Sequence, residues 1–517
     1  MKTKQYSYLI LLTALSLWLS GCSKFLDVRP RNEVPREEMF QKESGFRDAL
    51  TACYIKMTNE TLYGRYLTME ATEHLANLWL RPNPQHQEQY LLQSHNYNTT
   101  IILEQTKAIY GDMYNIIVNA NVLLTELKNR GDLIENPVQK KVIEGEAYGI
   151  RAMLHMDILR LYGQVPNNPT ITRQLYYCYV DDLKAPLQMC SYDEFVSNVE
   201  KDFLAAEALL ADSDPAREYS FDQLNGLAPE SESIEVDILD DFLRFRQQRL
   251  NLYAVQALMA RFYQYIGNTA KASEYAHKVI DATVNGKPVV KLSTKDDAAK
   301  AYHGSPSEAL FLLNDSRLVT RSVPIVGGAP GYSLSAGSQS YLTEDMLTSG
   351  IFNNTNLESD ARYTYLWERT TNINNVRYPT TKKYYYRELP GGGITDAERR
   401  EYSFSINKQQ VIPIIRLSEL YLILMENSRD LAELNSLYNT YMRSKGVILA
   451  KDQFASLSDF KQQLVNEYIR EFIAEGQVFY LYKRLGTKKM KFQTDSMTEE
   501  QYLFPIPESD RIDEESK

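Results

Sequence analysis

Apolar residues recur at three- and four-residue spacing from about 37 to 60 and again from 66 to 80, the pattern of helices that bury one face. The stretch 102–129 sustains it longest, with Ile109, Met113, Ile116, Ile117 and Val122 on one side and Gly131-Asp132 as a stop. Residues 139–162 repeat it through Ile150, Leu154, Ile158 and Leu161; Gly163 and Pro166 end it, as a terminal glycine and a following proline should. A helix over 192–211 starts at Ser191, a good N-cap. Residues 216–237 are acidic and polar and read as a surface loop.

The segment 250–283 predicts two helices joined at Gly267-Asn268. Ala260, Tyr263 and Ala272 stand at the mutual spacing of the small, aromatic and small positions of a tetratricopeptide repeat, where small side chains let antiparallel helices approach closely. Such repeats need neighbours to bury their faces, and the other long helices supply them. Residues 290–410 break the pattern: Gly327-Gly328, Pro330-Gly331 and Gly391-Gly392-Gly393 punctuate an aromatic-rich stretch with Tyr384-Tyr385-Tyr386. Short strands and loops are expected there. Helices return at 414–445 and 459–484, and the chain closes on extended Phe504-Pro505-Ile506-Pro507. The fold class is therefore mainly α. A helical-pair scaffold of tetratricopeptide type (about 37–285 and 410–490) carries a loop-rich, partly β insertion (about 290–410), all within one domain, 22–517.

The N-terminal segment, 1–21, reads as a leader. Lys2 and Lys4 precede a mostly apolar run from Leu9 to Leu19, which ends in Leu19-Ser20-Gly21-Cys22. A helix of that length reaches roughly 16 Å, too short for a bilayer core of about 30 Å. Basic start, short apolar core and small residues together give a signal peptide over 1–21. The tetrapeptide resembles a lipobox, making Cys22 the lipidation site; more than one acyl chain there anchors a protein stably. Residues 23–36, with Pro30 and Pro35, read as a tether.

Charge and composition exclude more than they identify. The chain carries 57 basic and 67 acidic residues, a net charge of −10. Removing the leader takes away two lysines, for −12, so nucleic acid is an unsuitable partner. Tyrosine is abundant at 37 residues, which suits ligand-facing surfaces and half-buried helices equally. Beyond Cys22 the cysteines are Cys53, Cys178 and Cys190; they read as small buried hydrophobes, with a Cys178–Cys190 bridge conceivable in an oxidising compartment. No Gly-x-Ser-x-Gly elbow, His-Glu-x-x-His or phosphate loop occurs, and Glu70-x-x-Glu73-His74 reads as a charged helix face. No catalytic residue, metal site or cofactor is assigned; a glycosidase carboxylate pair is the remaining enzymatic alternative.

Several motifs, in order, carry a family resemblance. They are Phe25-Leu26-Asp27-Val28-Arg29-Pro30; Tyr114-x-x-Ile117-x-x-Ala120-Asn121; Gly145-Glu146-Ala147 with Arg151-Ala152; and Leu161-Tyr162-Gly163-Gln164-Val165-Pro166. Asp360-Ala361-Arg362, the run Pro413 to Leu422, Glu471-Phe472, Glu475-Gly476, Arg484-Leu485-Gly486 and Pro505-Ile506-Pro507 follow. Together they resemble the SusD/RagB family of outer-membrane nutrient-binding lipoproteins. Departures such as Ile109, Met425-Glu426-Asn427 and Gln477 fall in scaffold motifs. The resemblance implies a surface lipoprotein that performs no chemistry, binds glycans and passes them to a SusC-like TonB-dependent β-barrel. Capture of peptides by the same fold is the alternative. Sugar rings stack on exposed aromatics and need polar partners for their hydroxyls, so the candidate ligand contacts are Trp79, Asn96, Tyr97, Tyr332 and Tyr341.

Overall fold

The computed structural model describes residues 35–80, 84–85, 87–182, 188–226, 233–234, 239–299, 306–327, 340–353, 357–373, 376–385 and 410–507. Cys22, Tyr332 and Gly391–Gly393 lie outside them. The first half is built from α1 (Glu43–Met57), α2 (Ala71–Leu75), α3 (Gln87–Gln93), α4 (Thr100–Arg130) and α5 (Pro137–Tyr162). A minimal hairpin of β1 (Leu175–Tyr176) and β2 (Met189–Cys190) leads into α6 (Tyr192–Ser213). Next come α7 (Leu252–Tyr265), α8 (Thr269–Ile280) and a second hairpin, β3 (Thr283–Val284) with β4 (Lys287–Pro288). The insertion supplies β5 (Ala309–Asn314), α9 (Leu318–Val326), α10 (Ala361–Tyr365) and the antiparallel pair β6 (Trp367–Ile373) and β7 (Val376–Thr381). The chain finishes with β8 (Val411–Arg416), α11 (Leu417–Asn427), α12 (Leu431–Ser444), α13 (Leu457–Phe472) and α14 (Val478–Leu485).

Local chemistry sets most helix ends. Asn136 accepts from the Val138 and Gln139 amides, with Pro137 in the first turn. Ser191, Asn251 and Asn268 cap α6, α7 and α8 in the same way. Ser456 and Asp459 form a reciprocal capping box on α13. The far end of α5 is closed from a distance: buried Lys483 donates to the carbonyls of Arg160 (2.8 Å) and Gly163 (2.6 Å), where four orphan acceptors would otherwise face the core. Burial holds the Lys483 pKa well below the usual lysine range.

Helices pack as pairs: α5 lies against α4 and α6, α7 against α8, α8 against α11, and α11 against α12 and α13. Gly145 explains part of its motif, because a Cβ there would sit 2.9 Å from Leu210 Cγ on α6. Glu146 in the same motif, with Asp214, neutralises Arg246, and all three side chains are fully buried. Arg151 is held by Asp202 (2.6 Å) and Asn121 (2.8 Å). The repeat-like pair behaves as its spacing predicts: Ala260 and Ala272 are fully buried and Tyr263 stacks on Tyr275 at 5.5 Å. One apolar cluster runs from Phe40 to Phe504 through both helical segments.

Four boundaries differ from the sequence reading, one of them the break at 428–430 that separates α11 from α12, where Asp430 caps α12. Residues 58–69 are successive turns and only Ala71–Leu75 is helical, because Gly64 packs where a Cβ would overlap the Thr58 carbonyl. The start of the expected 414–445 helix is strand β8, paired antiparallel with β5, so the insertion is stitched to the scaffold. The expected 459–484 helix breaks at 473–477, where Ala474 (φ 68°) and Gly476 (φ 75°) turn the chain against the Leu67 carbonyl. The mainly helical, paired architecture stands as expected.

Candidate functional site

Two polar regions compete for the role of site. The first is a buried charge cluster where the insertion meets the last helices. Asp360 caps α10 and grips Arg362 at two points, 3.0 and 2.8 Å. Arg362 also reaches Glu467 (2.7 Å) and Glu471 (3.3 Å). Arg416, at the end of β8, binds Glu471 (2.7 Å), Glu475 (2.8 Å) and Glu308. Lys383 donates to the Glu471 and Ile473 carbonyls and to Glu475. Lys445 reaches Ser418 (2.9 Å), and Arg470 reaches Glu467 (2.8 Å). Arg362, Lys383, Arg416, Lys445 and Arg470 thus balance Glu308, Asp360, Glu467, Glu471 and Glu475, charge for charge, and every member is buried.

Burial alone would push the Glu471 carboxyl up; Lys445, Arg416, Arg362 and Lys383 outweigh it and hold it well below the usual carboxylate range. Glu467 is lowered likewise against its burial, by Arg362 and Arg470. The adjoining cavity measures about 20 Å³, room for a water and not for a sugar ring. Glycoside cleavage needs one carboxylic acid raised to donate a proton to substrate; these two are held down instead. The cluster is a structural clamp between residues 308 and 475.

Glu73 is raised, to about 8, mainly by burial. Its oxygens accept the Ala474 and Gly476 amides at 2.9 and 2.8 Å, so it holds the 473–477 turn. The helix expected to show a charged face is in fact buried throughout, with Glu73 turned onto the 473–477 turn. His74 beside it is lowered to about 4, burial being the main cause.

The second region is the corner where described residues of 74–80 and 87–98 meet those of 340–353 and 376–385, and most of the sequence candidates belong to these segments. The Leu80 amide donates to the Tyr341 carbonyl (2.8 Å), and Gln93 Nε2 donates to the Trp79 carbonyl (2.9 Å). These bonds bring the Trp79 segment to Tyr341 from opposite halves of the chain, and Asn96 and Tyr97 follow Gln93 in the first segment.

It does not present them as an aromatic platform. Trp79, expected to contact ligand, is fully buried and its indole donates to the Met69 carbonyl (3.0 Å). Tyr97, expected likewise, is 8% exposed; its hydroxyl donates to the Gln501 carbonyl (2.7 Å) and its ring meets Phe504 edge-on. Tyr341 is 7% exposed under Tyr378, ring centroids 4.8 Å apart. All three are buried, and their polar atoms or ring faces already have protein partners. Asn96 is exposed, as a ligand contact requires. Tyr378, not among the sequence candidates, is half-buried with its ring on that of Tyr341; no motif marks it in Val376-Arg377-Tyr378-Pro379, and only the fold leaves it partly exposed.

Cys53, Cys178 and Cys190 are free and buried, so the conceivable Cys178–Cys190 bridge is not formed. Among the described residues no group of three or more His, Cys, Asp or Glu is placed to hold a metal ion, and no helix is long and apolar enough to cross a membrane.

Comparison with known proteins agrees with the family resemblance. Residues 24–222 match a SusD-like family described as starch-binding and associating with the outer membrane. A SusD-like protein of Formosa agariphila is 26% identical over 151 residues, which is 28% of this chain and 28% of that relative. The fold matches a SusD superfamily protein of Bacteroides thetaiotaomicron with a TM-score of 0.64 at 18% identity, over 90% of this chain and 97% of that one. A laminarin-binding SusD-like protein matches with a TM-score of 0.57 at 15% identity, over 86% and 92% of the two chains.

Proposed function

We propose, from the premise that this chain is SusD-like in sequence over residues 24–222 and in fold over about nine-tenths of its length, that it captures glycans at the bacterial outer membrane. The observation that carries this reading is the match of 24–222 to a starch-binding, outer-membrane-associating family. The shared fold of a laminarin-binding protein supports it. The corner of residues 74–98 and 340–385 is the capture surface, with Asn96 supplying hydrogen bonds and Tyr378 an exposed ring face. Trp79, Tyr97 and Tyr341 hold that surface in place, and Tyr332 is a ligand contact on the strength of its sequence neighbourhood alone.

Cys22 carries the lipid anchor after removal of residues 1–21, and the captured glycan passes to a SusC-like TonB-dependent β-barrel. The chain binds and does not cleave; the dense pairing of its clustered carboxylates supports that role.

Calorimetry on the mature chain beginning after Cys22 tests the reading. Saturable binding of laminarin or starch oligosaccharides, weakened at least tenfold by Asn96→Ala with Tyr378→Ala, is the expected result. Binding of peptides alone would replace glycan by peptide capture. Turnover of a polysaccharide, abolished by removing one acid, would overturn the binding-only role.

A further inference from the structure

A second open groove lies away from the corner. Helix α12 forms one wall, the start of α11 the floor, and residues 288–294 after the β3–β4 hairpin the other wall. Its volume is about 880 Å³, within the range of pockets that hold small ligands. Space exists because α12 turns short side chains toward it: Ser436 and Thr440 stand one turn apart on the groove side. Tyr421 follows Leu417 by one turn on α11 and lies half-buried against the floor, leaving part of its ring to the groove.

The polar lining is unspent. The side chains of Lys291, Asn439, Arg443 and Asp452 make no hydrogen bond or ion pair with any described residue. Elsewhere α12 is well satisfied: Asn435, facing inward, bonds the Phe454 backbone through both its amide nitrogen and its oxygen. Among the described residues, Asn439 and Arg443 on the groove side of α12 keep their side-chain donors and acceptors unpaired. From Ala432 to Arg443 that side runs for about 16 Å at the helical rise of 1.5 Å per residue.

We propose that this groove is a second saccharide-binding site, distinct from the corner of Asn96 and Tyr378, and that it takes a short oligosaccharide. A pyranose ring offers an apolar C–H face and a rim of hydroxyls. Tyr421 meets the face, while Asn439, Arg443 and Asp452 meet the rim. Docking of an amphipathic peptide helix would need a continuous apolar stripe; the α12 side reads Ser436, Asn439, Thr440 and Arg443 instead. The inference takes its ligand class from the glycan-capture reading but none of its geometry. A glycan chain held at two sites on one protein gains avidity without any new contact.

The test uses the mature chain on an array of starch, laminarin and uronate-containing oligosaccharides, with three proteins compared. These are the unsubstituted chain, a groove variant (Asn439→Ala with Arg443→Ala) and a corner variant (Asn96→Ala with Tyr378→Ala). The groove substitutions remove exposed or half-exposed side chains that have no partner among the described residues, and unfolding is read separately from the melting curve. The expected result is at least one oligosaccharide class whose binding falls tenfold or more in the groove variant and persists in the corner variant. Unchanged binding in the groove variant overturns the second site, as does a chain that binds no saccharide or only peptides there. Loss of all binding in the corner variant overturns it too and leaves the capture surface standing. If instead every oligosaccharide class that binds is lost in the groove variant and none is weakened in the corner variant, the groove stands and the corner falls.

Discussion

Replacing Glu471 by glutamine tests whether the charge cluster is the clamp that its geometry implies. The side chain keeps its size, so no cavity opens, and only the charge and one acceptor change. In the native chain Glu471 accepts from Arg416 (2.7 Å), the Tyr441 hydroxyl (2.8 Å) and Arg362 (3.3 Å), with Lys445 at 3.4 Å. Substitution leaves five buried cations facing four buried anions. Breaking one member of a buried ion network costs about 3–5 kcal/mol, since the remaining charge is stranded in low dielectric. That is a large share of the roughly 5–15 kcal/mol that separates folded from unfolded chains.

Urea unfolding at pH 7, followed by circular dichroism, reads the loss. Adding Lys445→Met to Glu471→Gln restores the balance, and the pair should recover about half of the loss or more. The pH dependence supplies a second check with a defined sign. Because the Glu471 pKa is held below its ordinary 4.5, its contribution is fully present above that value. It disappears as pH falls through the folded value, so the deficit of the single variant narrows in acid. A loss under about 1 kcal/mol at pH 7, or a double variant no more stable than the single one, would refute the clamp.

Trp79→Ala should cost about 3–5 kcal/mol of stability, as large-to-small core changes do, and glycan affinity per folded molecule should hold; lost affinity in a fully folded variant would return Trp79 to the ligand. His74 and His95 are lowered to about 4 chiefly by burial, so each removes about 2 kcal/mol between pH 7 and pH 5 as the unfolded state gains protons. His155, lowered further by burial and Arg151, adds in the same direction, whereas Glu73, raised to about 8, opposes it. His95→Gln should therefore flatten the acid limb of a melting-temperature profile, and an unaltered slope would contradict the burial argument. With Cys53, Cys178 and Cys190 free and buried, a thiol reagent should find almost none in the native mature chain and three after denaturation; fewer than three would reveal a disulfide. Cys22→Ser should move the chain from the membrane fraction to the soluble one, and retention at the membrane would count against the lipid anchor.

The helices over 100–130, 137–162, 192–213 and 252–280 were legible in the sequence because their causes are local. Apolar period, an N-cap such as Ser191 or Asn251, and a stop at Gly131 or Gly163 act within a few residues of one another. The family motifs were legible as residue patterns, and the fold gives two of them a cause: Gly145 leaves room for Leu210 of α6, and Arg151 binds Asp202 and Asn121. What the motifs do physically was not legible. Asp360-Ala361-Arg362 reads as a loop signature, and only the fold brings it to Glu467 and Glu471, far along the chain.

The same limit governs the site. Tyr97 lies between two asparagines, Tyr341 follows a serine and Trp79 precedes the loop-like run Arg81-Pro82-Asn83-Pro84. Yet Phe504 packs on Tyr97, Tyr378 on Tyr341, and the Trp79 indole is buried with its N–H on the Met69 carbonyl. The break at 473–477 was not legible because the apolar period continues across it and the reason for turning lies in Leu67 and Glu73. The break at 428–430 was legible, in the polar run Glu426 to Asp430 and the cap at Asp430. Sequence alone determined the helices, their caps and the family they resemble, since short-range spacing encodes all three. Only the tertiary structure decided which aromatic rings meet water and which charges meet each other, because burial and pairing depend on surfaces contributed by distant parts of the chain.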